Sequence, residues 1–475
     1  MSDLTCDVLV VGGGPGGYPA AIRAGQLGLD TIIVDKDGWG GTCLNRGCIP
    51  SKAFIHAADK FAEMRHHAYS PALGISLSAA PELDMKGLVA WKDEIVGKLT
   101  GGVEQLLKAA GVNAISGWAE FEDAKTCTVT LEDGSTRKIT ARNVILATGS
   151  VEVELPFLPF GGKVIGSTGA LDLDTLPEKL VVVGGGYIGL ELGIAYRKLG
   201  SEVTFVEALD RILPVYDKEL TRPITRWLKD NGVTVHTSSK AKGLVEDGGK
   251  TFLEYENPKG ETERLEADNV LVAVGRKPLI KGWGLEKMGI PNDGKFIQVN
   301  ERCETGMRGV YALGDLTGEP LLAHRATAQG ERVAEIIAGH KTAFDPVAIA
   351  AVCFTEPEVV GVGFTPDEAK EQGETVITGK FPLAANGRYL SMEGGADGGF
   401  VRITARESDH VILGIHAVGK HVSELSGEFA LAMEMGARLE DIAGTVHVHP
   451  TLTEGLAEAA LAALGHPIHI SAPKR

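Results

Sequence analysis

One pattern occurs twice in the chain and constrains everything else. "CDVLVVGGGPGGYPAAIRAGQLGLDTIIVD" ends at Asp35, and "KLVVVGGGYIGLELGIAYRKLGSEVTFVE" ends at Glu207. Each reads as an apolar strand, a glycine turn, an amphipathic helix and a second apolar strand that closes on an acid. The G-x-G-x-x-G positions are Gly12, Gly14 and Gly17 in the first copy and Gly184, Gly186 and Gly189 in the second, and the spacing from third glycine to acid is the same in both. In such a turn the first glycine permits the tight bend, the second lets backbone approach a pyrophosphate, and the third lets helix pack on strand. The helix start then offers unpaired N–H groups and a partial positive charge to phosphate, and the acid accepts from a ribose hydroxyl. One such fingerprint is weak evidence. Two in the same frame predict two dinucleotide sites.

Related strands follow each copy, "ARNVILATGS" and "ADNVLVAVGRKP", and a third piece, "GVYALGD", ends at Asp315. The expected layout is a nucleotide domain over 1–150, a second over 151–280, a return to the first over 281–350, and a separate domain over 351–475. In that last stretch "VILGIHAVG" and the amphipathic "SELSGEFALAMEMGA" predict an α+β fold. The fold class is therefore α/β, two Rossmann-like domains plus a C-terminal α+β domain. The run "KGLVAWKDEIVGKLTGGVEQLLKAAGV" spaces Ile95, Leu99, Val103 and Leu106 for one long helix that covers a core or meets a second subunit.

A net charge of −16 argues against nucleic acid and against an anionic membrane surface. No apolar run is long enough for a transmembrane helix. The first strand pattern begins almost at the start of the chain, and the cytoplasm is the expected compartment.

Six cysteines are far too few for a disulfide scaffold, yet Cys43 and Cys48 lie close together in "GGTCLNRGCIPSK". A structural bridge over so short a loop would contribute only roughly 2 kcal/mol and would tend to open in a reducing cytosol. Zinc would need further ligands, which no neighbouring Cys or His supplies, and no metal site is expected. A redox role is favoured over both. Arg46, Lys52 and a helix opening nearby are expected to favour thiolate. Nicotinamide delivers hydride, whereas a disulfide accepts an electron pair and has no carbon to take hydride; a flavin bridges the two chemistries. FAD, NAD and a redox disulfide form a coherent set.

These residues resemble the flavin-dependent pyridine-nucleotide disulfide oxidoreductases. The likeness runs over nearly the whole chain, through "GGGPGGY", "GGTCLNRGCIPSK", "ATGS", "VVVGGGYIGLELG", "VGRKP", "YALGD", "FTEPE" and "HVHPTLTE". It implies that Gly12, Gly14, Gly16, Gly17, Asp35 and Lys36 hold the adenosine and pyrophosphate of FAD. It gives Gly41, Thr42, Thr148, Gly149, Ser150 and Asp315 to the rest of that cofactor, with Ala323 near the flavin. Lys52 would sit beside the flavin paired with Glu191. Gly184, Gly186, Gly189, Glu207 and Gly275 would hold NAD, with Ile188 near the nicotinamide. Cys48 would face the flavin and Cys43 would exchange with substrate. Three departures stand out: Asp35 where Glu is commoner, Arg46 where an apolar residue is frequent, and Pro19 just inside the first helix.

"HVHPTLTEGLAEAALAAL" has a local reading of its own. Thr451 and Glu454 form a capping box before an apolar helix, with His447 and His449 as loop polars. An H-x-H metal pair lacks further ligands. The resemblance implies that His449 is the acid–base, oriented by Glu454, and that it reaches the thiols of the other subunit of a homodimer; the cap and the His–Glu pair are compatible. Within the family the likeness is to enzymes that oxidise the dihydrolipoyl group of a lipoyl domain. Its implied partners are those lipoyl domains and the acyltransferase core of 2-oxo acid dehydrogenase complexes. A glutathione reductase-like enzyme is the rival, disfavoured because Glu207 would repel a 2′-phosphate. A purely structural subunit of a complex is the other alternative, and the intact thiols argue against it.

Overall fold

The computed structural model describes residues 3–70, 73–292, 294–395 and 398–472. The chain divides into two compact units, one of residues 1–176 with 274–345 and the other of 177–273 with 346–475.

The first unit is built on a sheet whose strands run, in order, Asn113–Ser116, Thr31–Asp35, Leu4–Val11, Thr136–Leu146, Thr126–Thr130 and Trp118–Phe121, with Val310–Ala312 paired to Thr136–Leu146. Leu4–Val11 pairs in parallel with strands on both sides. This explains its near-continuous apolar sequence: a central parallel strand is covered on both faces. The helix Gly17–Gln26 crosses from that strand to Thr31–Asp35, and a later helix, Ala323–Ile337, packs against it. Glycines make this packing close. A Cβ on Gly330 would lie 2.2 Å from the carbonyl oxygen of Gly16.

The long helix spans Met85–Ala109, begun by Asp84, whose carboxylate accepts from Gly87 N at 3.0 Å. Its covered face is Met85, Leu88, Val103 and Leu107, whereas Leu99 and Leu106 remain exposed. The apolar stripe is wider than the face its own unit covers.

The second unit repeats the βαβ unit. Lys179–Val183 pairs in parallel with Glu202–Val206 on one side and Asn269–Val272 on the other, and the helix Tyr187–Leu199 connects the first two. Residues beyond 346 form an antiparallel sheet in the order Ala351–Cys353, Glu358–Gly363, Ile412–Gly419, Phe400–Arg406 and Val376–Pro382. The helices Ser426–Glu434 and Glu454–Ala463 cover it. The fold class is thus α/β with two Rossmann-like units and a C-terminal α+β portion.

Candidate active site

The two fingerprints impose the same constraints on their glycines. Gly12 and Gly184 sit at φ +108° and +111°, where a side chain is strained. A Cβ on Gly17 would lie 1.7 Å from the oxygen of Gly12, and one on Gly189 would lie 2.4 Å from that of Gly184. By contrast, a Cβ on Gly14 meets nothing nearer than Gly41 Cα at 3.8 Å, and one on Gly186 meets nothing within 4 Å. The outer glycines are therefore demanded by the turn itself. The middle ones leave open the space above the helix start, and that space is where a pyrophosphate would lie.

The acids are matched as well. Asp35 Oδ2 accepts from Gly13 N at 2.6 Å and Oδ1 from Asp37 N at 2.7 Å. Glu207 Oε2 accepts from Gly185 N at 2.5 Å and Oε1 from Leu209 N at 2.7 Å. Each carboxylate is thus oriented by its own glycine turn and keeps further lone pairs for a ribose hydroxyl. Burial pushes the Asp35 carboxyl above the usual range, against the lowering effect of the Gly13 and Asp37 amides. The Lys36 ammonium lies over the Trp118 ring, 4.9 Å from its centroid.

After the turn that brings Gly41 against Gly14, the helix Gly41–Arg46 carries Thr42 and Cys43. Gly47 then breaks the chain direction, and Cys48 opens the helix Cys48–Tyr69 with Lys52 one turn in. The sulfurs meet: Cys43 hydrogen-bonds to Cys48. The expectation of a favoured thiolate needs correction for Cys43. Its thiol is pushed well up, first by that hydrogen bond to Cys48, then by burial and by the negative charge that Cys48 would carry; Lys52 offsets this only in part. Arg46 spends its charge elsewhere, on Asp37 at 2.7 Å. The arrangement keeps the proton on Cys43.

Further along the same unit, Thr148 Oγ1 donates to the carbonyl of Leu279 at 2.9 Å and Gly149 turns at φ +70°. The Ser150 hydroxyl donates to Asp315 Oδ2 at 2.5 Å and accepts from Arg276 Nε at 2.8 Å. Arg276, which lies in "VGRKP" with no role legible from the motif itself, thus orients Asp315 through Ser150. Ala323 is the first residue of the helix Ala323–Ile337. Gly275, at φ +123°, has nothing within 4 Å of its Cβ position.

In the second unit Ile188 is half-buried on the helix that starts at Tyr187. On the same helix Glu191 is buried, and its Oε1 accepts from Phe354 N at 2.9 Å. His449 Nδ1 lies 2.8 Å from Glu454 Oε1, while Oε2 of the same carboxylate accepts from Thr451 N at 2.8 Å. The capping-box expectation is corrected here. Thr453 occupies the cap position, the helix begins at Glu454, and the Thr451 hydroxyl donates to the carbonyl of Val448 at 2.6 Å. Glu454 holds the Thr451 amide with one oxygen and His449 with the other, while the reciprocal bond from Thr451 to the helix is not made.

Comparison with known proteins bears directly on this arrangement. The family model described as "Pyridine nucleotide-disulphide oxidoreductase" matches residues 6–330, and that of its dimerisation domain matches residues 349–460. The chain belongs to this family. Accordingly it is an oxidoreductase of the flavoprotein type that uses FAD and NAD(H). A dihydrolipoyl dehydrogenase of Pseudomonas aeruginosa is 55% identical over 467 residues, covering 98% of this chain and 99% of that one. One from Geobacillus stearothermophilus is 45% identical, covering 98% and 97%. Among solved structures, LpdA from Mycobacterium tuberculosis superposes with a TM-score of 0.88 at 30% identity, covering 96% and 99%. The flavoprotein disulfide reductase RclA of Escherichia coli, in a Cu(II) complex, shares the fold alone, with a TM-score of 0.85 at 23% identity over 96% and 99%. Among the described residues no helix is long and apolar enough to cross a membrane, and no cluster of His, Cys, Asp and Glu is set to hold a metal ion.

Proposed function

We propose that this chain is a cytoplasmic dihydrolipoyl dehydrogenase that oxidises the dihydrolipoyl group of a lipoyl domain, with NAD⁺ as final acceptor. The observation that carries the reading is the Cys43–Cys48 sulfur pair at the start of a helix, in the unit that also holds the first fingerprint. The relatives named dihydrolipoyl dehydrogenase, 55% and 45% identical over nearly the whole chain, support the substrate.

In this reading His449 removes a proton from one substrate thiol, and the thiolate attacks Cys43 Sγ in the Cys43–Cys48 disulfide. The enzyme disulfide breaks with Cys48 leaving as thiolate. The second substrate sulfur then displaces Cys43, closing the lipoyl disulfide and leaving both enzyme sulfurs reduced. FAD, when bound, carries the electron pair from the thiols to NAD⁺. Asp35, Lys36, the first glycine turn, Gly41, Thr42, Thr148, Gly149, Ser150, Asp315 and Ala323 would hold it. Lys52 and Glu191 would pair beside it. The second glycine turn, Ile188, Glu207 and Gly275 would hold NAD, and the Glu207 carboxylate disfavours a 2′-phosphate.

His449 serves the thiols of the other subunit, so the working form is a homodimer through the dimerisation domain. The stretches 1–150 and 281–350 serve FAD, 151–280 serves NAD, and 351–475 serves the interface. Its partners are the lipoyl domains and acyltransferase core of a 2-oxo acid dehydrogenase complex.

The test is NADH formation from dihydrolipoamide and NAD⁺ by the FAD-reconstituted protein, with glutathione disulfide and NADPH as the rival pair. Cys43→Ser and Cys48→Ser should each abolish turnover while retaining flavin. Full activity in either variant, or a preference for the rival pair, overturns the reading.

A further inference from the structure

Arg46 lies between the two redox cysteines. Its Nη2 is 2.7 Å from Asp37 Oδ2. The Asp37 amide donates in turn to Asp35 Oδ1 at 2.7 Å, and Asp35 Oδ2 accepts from the Gly13 amide at 2.6 Å. An unbroken polar path therefore runs from the thiol segment to the first fingerprint, through the acid that closes that fingerprint. Next to Arg46 on the same short helix, Asn45 accepts at Oδ1 from the Thr100 hydroxyl at 3.1 Å, which ties it to the long helix. Two adjacent residues thereby anchor the C-terminal end of the helix that bears Cys43.

The guanidinium has a cheaper place to be. Its Nε is buried without an acceptor among the described residues. A buried N–H left unmade costs free energy that a turn of the side chain into water would recover. The Asp37 contact holds it in the crevice instead. Both partners of the pair are more than a third exposed, 36% and 41%, so its contribution to folding stability is small. A role in folding does not account for the arrangement.

We propose that Arg46 is a positioning residue that couples the filling of the first dinucleotide cradle to the placement of Cys43 and Cys48. The inference rests on the reading of Asp35 as the acid that meets the FAD ribose. When FAD engages Asp35, the loop that carries Asp37 is held, and Arg46 transmits that restraint to the helix Gly41–Arg46. Linkage makes the effect reciprocal: whatever FAD does to the thiol equilibrium, the thiols do to FAD affinity.

The test uses the full chain stripped of flavin and titrated with FAD, with thiol–disulfide equilibria read against glutathione in apoprotein and holoprotein. Arg46→Leu should raise the FAD dissociation constant about three- to tenfold, with little change in melting temperature of the apoprotein. It should shift the glutathione equilibrium by about threefold in holoprotein and leave that of apoprotein unchanged. Arg46→Lys, which keeps the charge, should recover most of the FAD affinity. Asp37→Asn should reproduce the loss, and the double variant should be no worse than either single one. An FAD constant for Arg46→Leu equal to that of the natural chain overturns the proposal, as does a double variant whose losses multiply. A natural chain that takes up no FAD at all overturns the functional reading along with it, whereas the first two results leave that reading standing.

Discussion

His449 Nδ1 lies 2.8 Å from Glu454 Oε1, and because a carboxylate only accepts, the ring must present its N–H there and leave Nε2 as the basic nitrogen. The ring itself is 80% exposed, so Nε2 is open to an incoming thiol. Burial raises the Glu454 carboxyl, but the Thr451 amide and His449 outweigh it, and its net position is below the usual carboxylate range. A lowered value means that the charged form is favoured in the fold. The contribution is full above the ordinary range and is lost only as acid carries the pH down through the lowered value. Through neutral and mildly acid pH the acceptor stays charged.

Glu454→Gln removes that charge and keeps an oxygen for the Thr451 amide. Turnover with dihydrolipoamide should fall about 10- to 100-fold, with the melting temperature almost unchanged, because orientation and charge are lost while the backbone contact survives. Steady-state rates and thermal melts on one preparation check this. Equal losses in both would reduce Glu454 to a structural cap.

The second fingerprint separates a glycine needed by the fold from one needed by the ligand. Gly186→Ala adds a methyl where nothing lies within 4 Å, so the chain should fold and melt normally. The methyl would occupy the space of the pyrophosphate, and the NADH dissociation constant should rise by about tenfold or more. Gly189→Ala would put a Cβ 2.4 Å from the oxygen of Gly184, and there the melting temperature itself should drop. NADH titration beside thermal melts distinguishes the two classes, and a normal NADH constant for Gly186→Ala would remove the second dinucleotide from the account.

Those glycines were legible in the sequence because their constraint is local: a turn at positive φ and a helix crowding its own strand leave one residue type. The acids Asp35 and Glu207 were legible for the same reason, each bonding back to its own turn. The thiol pair was legible as a pair, but its protonation was not. The hydrogen bond to Cys48 and burial outweigh the Lys52 charge at Cys43, and both exist only in the folded chain. The roles of Arg276 and the Phe354 amide, both within quoted motifs, were not legible because their partners, Ser150 and Glu191, are brought to them only by the folded chain. Thr451 misled for a subtler reason. The capping pattern was present, but a helix start at Glu454 puts Thr453 in the cap position, and the carboxylate keeps the Thr451 amide on one oxygen while the other meets His449.

A last consequence concerns acid. His416 is buried in the strand Ile412–Gly419, directly across from Arg402, and its Nδ1 has no partner among the described residues. Arg402 itself is pinned by Asp217 and by Glu219 at 2.9 Å. Burial first, and the Arg402 charge second, hold His416 down from 6.5 to about 4. A histidine lowered in this way stays neutral in the fold while the unfolded chain takes up a proton. Its contribution is full above pH 6.5 and drains away as pH falls from there through about 4, a total on the order of 3 kcal/mol. By about pH 5 roughly 2 kcal/mol of it is gone. Burial raises both Asp217 and Glu219, but Arg402 holds the first, and Lys380 and then Arg402 hold the second, below their ordinary values, and both add their losses at lower pH still. The melting temperature should therefore drop by a few degrees between neutral pH and about pH 5. His416→Gln, with nothing to titrate in that window, should flatten the slope there while remaining less stable at neutral pH through imperfect packing. Melts of both forms across the window decide it: parallel slopes would assign the acid sensitivity to another group.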